Sequence, residues 1–249
     1  MNRAKFVLAS LATSAIGSLR RTDEPRRGTR VVMYHDVNKS GDVSDIYSIP
    51  LARFASGVAR LSEWARKANH RFIPFHSEPR PGIAITFDDG YQSTLRPGAP
   101  VFAQFEIPCH VFVTKSYVLQ GGPAYLSVSD LKALSQMPLA SVGVHGTSHR
   151  HLSQLDEQAL RAELTESRDW LEQVTGKAVT SLSYPHGDFN QAVSNIVSQC
   201  GFSAAACSAI GTFTDSSQSL EIPRVDIWSH DTPRTTVAKT RGDWDSVLP

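Results

Sequence analysis

Two adjacent carboxylates close the apolar run Ile83-Ala84-Ile85-Thr86-Phe87-Asp88-Asp89-Gly90. A buried strand ending this way sends the two acids in opposite directions, because successive side chains alternate across a strand. Such a pair divides its labour: one carboxylate can bind a cation while the other stays free to move a proton. The bland alternative is a strand-end Asp-Asp-Gly turn, which residues 86–90 alone fit equally well. A second run, Val142-Gly143-Val144-His145-Gly146-Thr147-Ser148-His149, shifts the balance. Its two imidazoles stand four residues apart and share one face if the segment makes a helical turn, a spacing that metals use repeatedly. Two His and one Asp suit a divalent transition metal with positions left open for water. A third run, Ser183-Tyr184-Pro185-His186-Gly187, again sits where an apolar strand gives way to a loop. Three such loops after three strands predict a barrel whose strand C-termini build one site.

The order and approximate spacing of these three runs resemble the polysaccharide deacetylases, carbohydrate esterase family four, from about Arg30 to about Trp228. The resemblance implies an α/β fold, a single distorted (β/α) barrel of about seven strands. It implies a metal-dependent hydrolase that removes N-acetyl groups from amino sugars of a surface polysaccharide or its lipid-linked precursor. Carried over residue by residue, Asp89, His145 and His149 become the metal ligands and Asp88 the catalytic base. Tyr184 falls where the family binds the oxyanion with a backbone N–H. One divalent ion is expected, Zn²⁺ first, with Co²⁺, Ni²⁺ or Fe²⁺ as alternatives. The other reading is a carbohydrate-binding pseudoenzyme on the same barrel, and the retention of Asp88, Asp89, His145 and His149 together argues against it.

Two departures from the family pattern stand out. Gly146 replaces the Ser or Thr that usually follows the first His, so the loop lacks a steadying side-chain hydrogen bond. Ser183 stands where the third motif often carries an Arg that orients the base, and Arg224, in Ile222-Pro223-Arg224-Val225, is the expected replacement from another strand end. The opening run Arg30-Val31-Val32-Met33-Tyr34-His35-Asp36-Val37 resembles the permuted poly-N-acetylglucosamine deacetylase branch, where the general-acid His comes first. His35 is therefore the expected acid, with Asp36 or another carboxylate favouring its protonated form. His230, near the chain end, is the alternative, and His186 is expected to line the groove. Gly121-Gly122-Pro123-Ala124-Tyr125 is one candidate groove wall.

These groups must be held by alternating strands and helices. A helix is predicted from Ser48 as N-cap, with Pro50 near its first turn, to about Lys67, its apolar stripe formed by Phe54, Val58, Leu61 and Trp64. Strands are predicted at 72–75, 109–113, 180–184, 202–207 and 224–228, and helices at 97–105 and 129–137. The longest helix runs from about Leu155 to Val174, with Gly176 as its stop. No internal repeat or second domain interrupts this order.

At 249 residues and 41% hydrophobic, the chain can bury one sizeable core. A net charge of +1 makes no electrostatic case for nucleic acid. Cys109, Cys200 and Cys207 lack metal-type spacing and read as small buried hydrophobes. Residues 1–28 form a separate N-terminal segment, and residues 29–249 the deacetylase domain. Arg3 and Lys5 precede the apolar run Phe6–Ala12, which fits a signal-peptide core or an uncleaved membrane-adjacent helix. That run is shorter than the roughly 20 residues a bilayer span requires. A cytoplasmic or inner-membrane-peripheral location, with peripheral membrane contact through the N-terminus, is preferred to export because Arg20 and Arg21 follow the cleavage region. The cluster Arg20, Arg21, Arg26, Arg27 and Arg30 is expected to be a solvated linker. The expected partner is an N-acetylated glycan, and the oligomeric state is not legible.

Overall fold

The computed structural model describes residues 23–245. The signal-like or membrane-adjacent helix expected around Phe6–Ala12 of the N-terminal segment lies outside the described residues. In chain order the elements are β1 (Thr29–Tyr34), β2 (Asp36–Asn38), β3 (Ser48–Pro50), α1 (Leu51–Ala68), β4 (Gly82–Phe87) and α2 (Gly98–Gln104). Next come β5 (Cys109–Val113), α3 (Lys115–Gln120), α4 (Val128–Ser135), β6 (Ala140–Val144) and α5 (Glu157–Thr175). The chain continues through β7 (Ser181–Ser183), α6 (Gln191–Gln199), β8 (Ala204–Ala206), β9 (Arg224–Asp226) and α7 (Pro233–Arg241).

Seven strands pair in parallel in the order β8-β7-β6-β5-β4-β1-β9. The segment entering β9 returns to β8 through a parallel bridge, Ala206 to Ile222, so the sheet closes almost completely into the expected barrel. Cys207 N–H donates to Ile222 O at 2.9 Å, and Arg224 N–H donates to Ala209 O at 2.9 Å across that seam. β1 and β4 are buried along their whole length, as strands covered on both faces must be.

Strand alternation sorts the side chains. Val32, Tyr34, Ile83, Ile85, Val111 and Val113 join the main core with Phe54, Leu61 and Leu164 of the helices. The other parity faces inward: Val31 and Ala84 pack with Ala204, Phe213 and Ile222. This interior is narrow. A Cβ added at Gly143 would stand 2.6 Å from His110 Nε2 and 2.5 Å from Ser181 Oγ, so only glycine fits there. Asp88, Arg224 and Asp226 share the inward parity of Ala84 and Val31, as do Met33 and His35. The period of two therefore aims them at the barrel mouth.

Several elements differ from the sequence expectations. Ser48 caps no helix: it lies in β3, which pairs with β2, and α1 starts after Pro50 without a side-chain cap. Residues 72–75 make only a bridge, Phe72 to Ile83, because Pro74 has no N–H to continue a ladder. α4 begins one residue early, under a capping box formed by Ser127 and Asp130. The longest helix is capped by Asp156 and ends at Gly176 in the left-handed region, φ 70°. Helices α3, α6 and α7 had no counterpart in the sequence reading.

The basic cluster is not uniformly solvated. Arg27 pairs with Glu24 on the surface, but Arg30 is fully buried and bound to Asp245. The three cysteines are buried free thiols. Among the described residues no helix is long and apolar enough to cross a membrane.

Candidate active site

Asp88 follows β4 directly and is buried at the barrel mouth. Arg224, the first residue of β9, binds it through both nitrogens: Nη1 donates to Oδ1 and Nη2 to Oδ2, each at 2.8 Å. Nη2 also donates to Ser183 Oγ at 2.8 Å, and Ser183 Oγ–H donates to Asp88 Oδ2 at 2.9 Å. The remaining donor, Arg224 Nε, reaches Cys207 O at 3.0 Å. A guanidinium from β9 thus stands over the serine that replaces the motif arginine. Burial pushes the Asp88 carboxyl upward, but the Arg224 charge outweighs it and holds the group well below the usual carboxylate range. Asp88 is therefore ionised at any pH near neutrality.

Asp89 turns away from Asp88 at φ 71°, a left-handed conformation open to Asp and Asn at modest cost. Its Oδ1 is buried without a hydrogen-bond partner, 3.4 Å from His145 Nε2 and 3.2 Å from His149 Nε2. His145 Nδ1 lies 2.8 Å from Ser183 O. That carbonyl can only accept, so Nδ1 carries the hydrogen and Nε2 faces Asp89 with its lone pair. Acceptor faces acceptor, an arrangement that a cation resolves. Asp89, His145 and His149 are also the one set of three or more His, Cys, Asp or Glu among the described residues whose ligand atoms converge within 4.8 Å. The residues fit a divalent metal.

The histidine loop is not a helical turn. Residues 145–149 form an irregular loop bent at Thr147-Ser148, with Gly146 at φ 78° and His149 at φ 56°. The i, i+4 spacing meets at one point because the loop doubles back. The start of α3 and the segment after it, residues 115–126, stitch this loop to the Asp89 turn. Lys115 N–H and Ser116 N–H donate to Gly146 O and Thr147 O, while Leu126 N–H donates to Gly90 O and Gln92 N–H to Ala124 O. Tyr125 stacks between Tyr91 and Tyr117, and Tyr117 reaches toward His149, but no residue of the Gly121–Tyr125 segment lines the cavity itself.

His35 lines the same cavity of about 390 Å³, as do Asp88, Asp89, His145, His149 and Asp226. Its Nδ1 stands 3.9 Å from Asp226 Oδ1, and its ring lies against Tyr47. Of the carboxylates that could flank it, Asp36 is turned away to Ser48 and Ser93, and Asp226 takes the place. Burial raises the pKa of Asp226, opposed by His35 and Lys239. His230 is not among the residues lining the cavity, and its Nδ1 lies 3.3 Å from Ser229 Oγ. His186 does line it, at φ 60°, between His149 and a stacked His151.

Tyr184 requires a correction. Its N–H donates to Ala206 O at 3.0 Å in the β7–β8 ladder, and its hydroxyl donates to Leu220 O at 2.9 Å. Strand pairing has claimed the amide that the sequence reading assigned to the oxyanion, so Tyr184 contributes only part of the cavity floor.

The profile of the polysaccharide deacetylase family matches residues 76–205, slightly more than half of the chain and the stretch that carries all three motif loops. This chain belongs to the polysaccharide deacetylase family. YxkH of Bacillus subtilis, which carries a polysaccharide deacetylase name, is 20% identical over 188 residues. That match covers 73% of this chain but only 64% of the length of YxkH. Among solved structures, the deacetylase PplD of Streptococcus pyogenes, in complex with acetate, superposes with a TM-score of 0.75 at 15% identity. The superposition covers 86% of this chain and 98% of that one. IcaB from Ammonifex degensii superposes with a TM-score of 0.71 at 22% identity, covering 87% and 98%. At these identities the superpositions establish the shared barrel.

Two residues of this deacetylase-family site escaped the sequence reading. Asp226 was within reach of it: two residues past Arg224 on one strand, it must share the inward face. Glu163, in the middle of a helix, carried no such signal.

Proposed function

We propose that this chain is a metal-dependent carbohydrate N-deacetylase acting on N-acetyl amino sugars of a surface polysaccharide or its lipid-linked precursor. The observation that carries the reading is the meeting, in one cavity, of an ionised and rigidly held Asp88 with the converging Asp89, His145 and His149. A divalent ion held by those three residues, Zn²⁺ first, would supply Lewis acidity toward a carbonyl and toward water. Asp88 takes a proton from the attacking water, and Arg224 with Ser183 fixes the direction of its carboxylate. As base it is weak, because Arg224 holds its pKa down, and its usefulness rests on position. The C–N bond breaks as the nitrogen receives a proton; His35, with Asp226 3.9 Å from its ring, is the proposed donor. The products are acetate and a free amino sugar. Acetate in the PplD structure is consistent with a product of this kind. Tyr184 is given no part in oxyanion binding.

The pseudoenzyme alternative finds no support in the site, since neither the base nor a ligand is missing. A panel of N-acetylated glycans incubated with Zn²⁺-loaded protein tests the proposal by mass spectrometry. Loss of ~42 Da, the replacement of acetyl by hydrogen in metal-assisted hydrolysis, is the expected result. Glycan binding without any mass loss, in folded and metal-loaded protein, would favour the pseudoenzyme.

A further inference from the structure

Gly146 removes the hydroxyl that steadies the histidine loop in the family pattern, yet the loop here is closely held. The holder is Glu163, a buried residue of α5. Its Oε1 accepts Ser148 N–H at 2.5 Å and Ser148 Oγ–H at 3.1 Å, and its Oε2 lies 2.9 Å from the same hydroxyl. Its backbone oxygen accepts Thr147 Oγ1–H at 3.0 Å. Among the described residues no Lys, Arg or His comes within ion-pair distance of this carboxylate, so the donors of Ser148 are what satisfies it. Gly146 is shaped to the same group: a Cβ there would stand 2.9 Å from Glu163 Oε1, and its φ of 78° already excludes most side chains. Three consecutive residues, 146 to 148, therefore conform to Glu163: Gly146 and Ser148 to its carboxylate and Thr147 to its backbone oxygen. The next residue is His149, at φ 56°, a left-handed conformation that persists only where its surroundings hold it.

We infer that Glu163 is a positioning residue for the metal-ligand loop, its buried carboxylate replacing the missing hydroxyl and holding His149 in its ligating pose. The inference rests on reading Asp89, His145 and His149 as a metal set. Without the carboxylate, Ser148 N–H loses its partner and the loop relaxes into poses that do not present His149. The apparent metal affinity then falls with the fraction of protein in the competent pose. Loss of a group that orients a ligand typically costs about 10–100-fold in metal affinity.

The test is a Zn²⁺ titration of chelator-stripped full chain against a chromophoric competitor, with apo melting temperatures measured alongside. Glu163→Ala and the volume-keeping Glu163→Met should each bind Zn²⁺ about 10–100-fold more weakly. Glu163→Gln keeps an oxygen for Ser148 N–H and should recover most of that loss. A structural role alone would lower the apo melting temperature and leave Zn²⁺ affinity unchanged. If the Ala variant does not fold, Glu163→Met decides. Affinities within twofold of wild type in the folded, acceptor-free variants overturn the inference while leaving the metal reading intact. Failure of the wild-type chain to bind any divalent ion overturns both.

Discussion

Two fully buried arginines sit on neighbouring strands, and the difference between them separates the working part of this barrel from its scaffolding. Arg30 lies on β1 and Arg224 on β9, one residue out of register, since Val31 pairs with Arg224. Their parities are opposite. Arg30 points into the helix layer, where it grips Asp245 at 2.5 and 2.8 Å and donates to the carbonyls of Lys239 and Gly211. That clasp ties the chain beyond α7 to the first strand. Arg224 points inward and grips Asp88 with the same bidentate geometry. The carboxylates differ in their access to water: the Asp245 side chain is 27% exposed, and that of Asp88 is 3% exposed. One pair closes the fold at its rim, while the other keeps a desolvated acid ionised beside the converging Asp89, His145 and His149. Bidentate arginine pairing alone does not mark an active site; the strand face and the neighbours decide.

Removing the carboxylates tests this contrast most strongly. Asp88→Asn should retain Zn²⁺ by elemental analysis and lose about 10²–10⁴-fold in kcat, because the proton acceptor is gone. Asp245→Asn should leave kcat within twofold. A catalytic loss in Asp245→Asn of the size seen in Asp88→Asn would erase the distinction between the two pairs.

His35→Ala extends the catalytic side of the comparison to β1 itself. It should bind metal normally, lose roughly 10²–10⁴-fold in turnover, and flatten the alkaline limb of the pH–rate profile. If His230→Ala behaves this way while His35→Ala stays active, the acid lies elsewhere.

Cutting either arginine leaves a carboxylate without its partner. For the fully desolvated Asp88, Arg224→Ala should cost about 3–5 kcal/mol in chemical denaturation. Arg30→Ala should cost less, because water reaches Asp245. The kinetics should separate them further. Without Arg224 the Asp88 pKa rises, so an acid limb appears or steepens in the rate profile, whereas the Arg30 variant keeps the wild-type profile. Unchanged kinetics in Arg224→Ala would retire its role in orienting the base.

The smallest effect at neutral pH belongs to a buried group outside both pairs. His110 bonds Ser141 and Ser181 inside the barrel, and burial pushes its pKa down from 6.5 to about 3. A depressed folded pKa means that its contribution to stability is whole above the unfolded value. It is lost as pH falls from 6.5 toward about 3. His110→Gln should change stability by about 1 kcal/mol at pH 7 and soften the acid-induced loss in that window. An identical acid profile in the variant would remove His110 from the account.

Much of this site was legible because its parts are local. Asp88-Asp89 and His145–His149 sit where apolar strands end, and alternation with the i, i+4 interval needs no knowledge of the rest of the chain. The longest helix announced itself through its apolar period and Gly176. Arg224 could be named as the partner of Asp88 because a missing arginine at Ser183 left a charge to be supplied. What sequence could not decide was who meets whom across the barrel. Asp88 finds Ser183 and Arg224 at separations of 95 and 136 residues, and closure of the sheet sets those pairings. The packing of strand on strand and helix on sheet likewise gives Tyr184 N–H to Ala206, sets Asp226 beside His35, and brings Glu163 under the histidine loop. Local chemistry depends on residue type and period, which the sequence carries directly. A hydrogen-bond partner depends on which strand lies alongside, and only the packed barrel determines that.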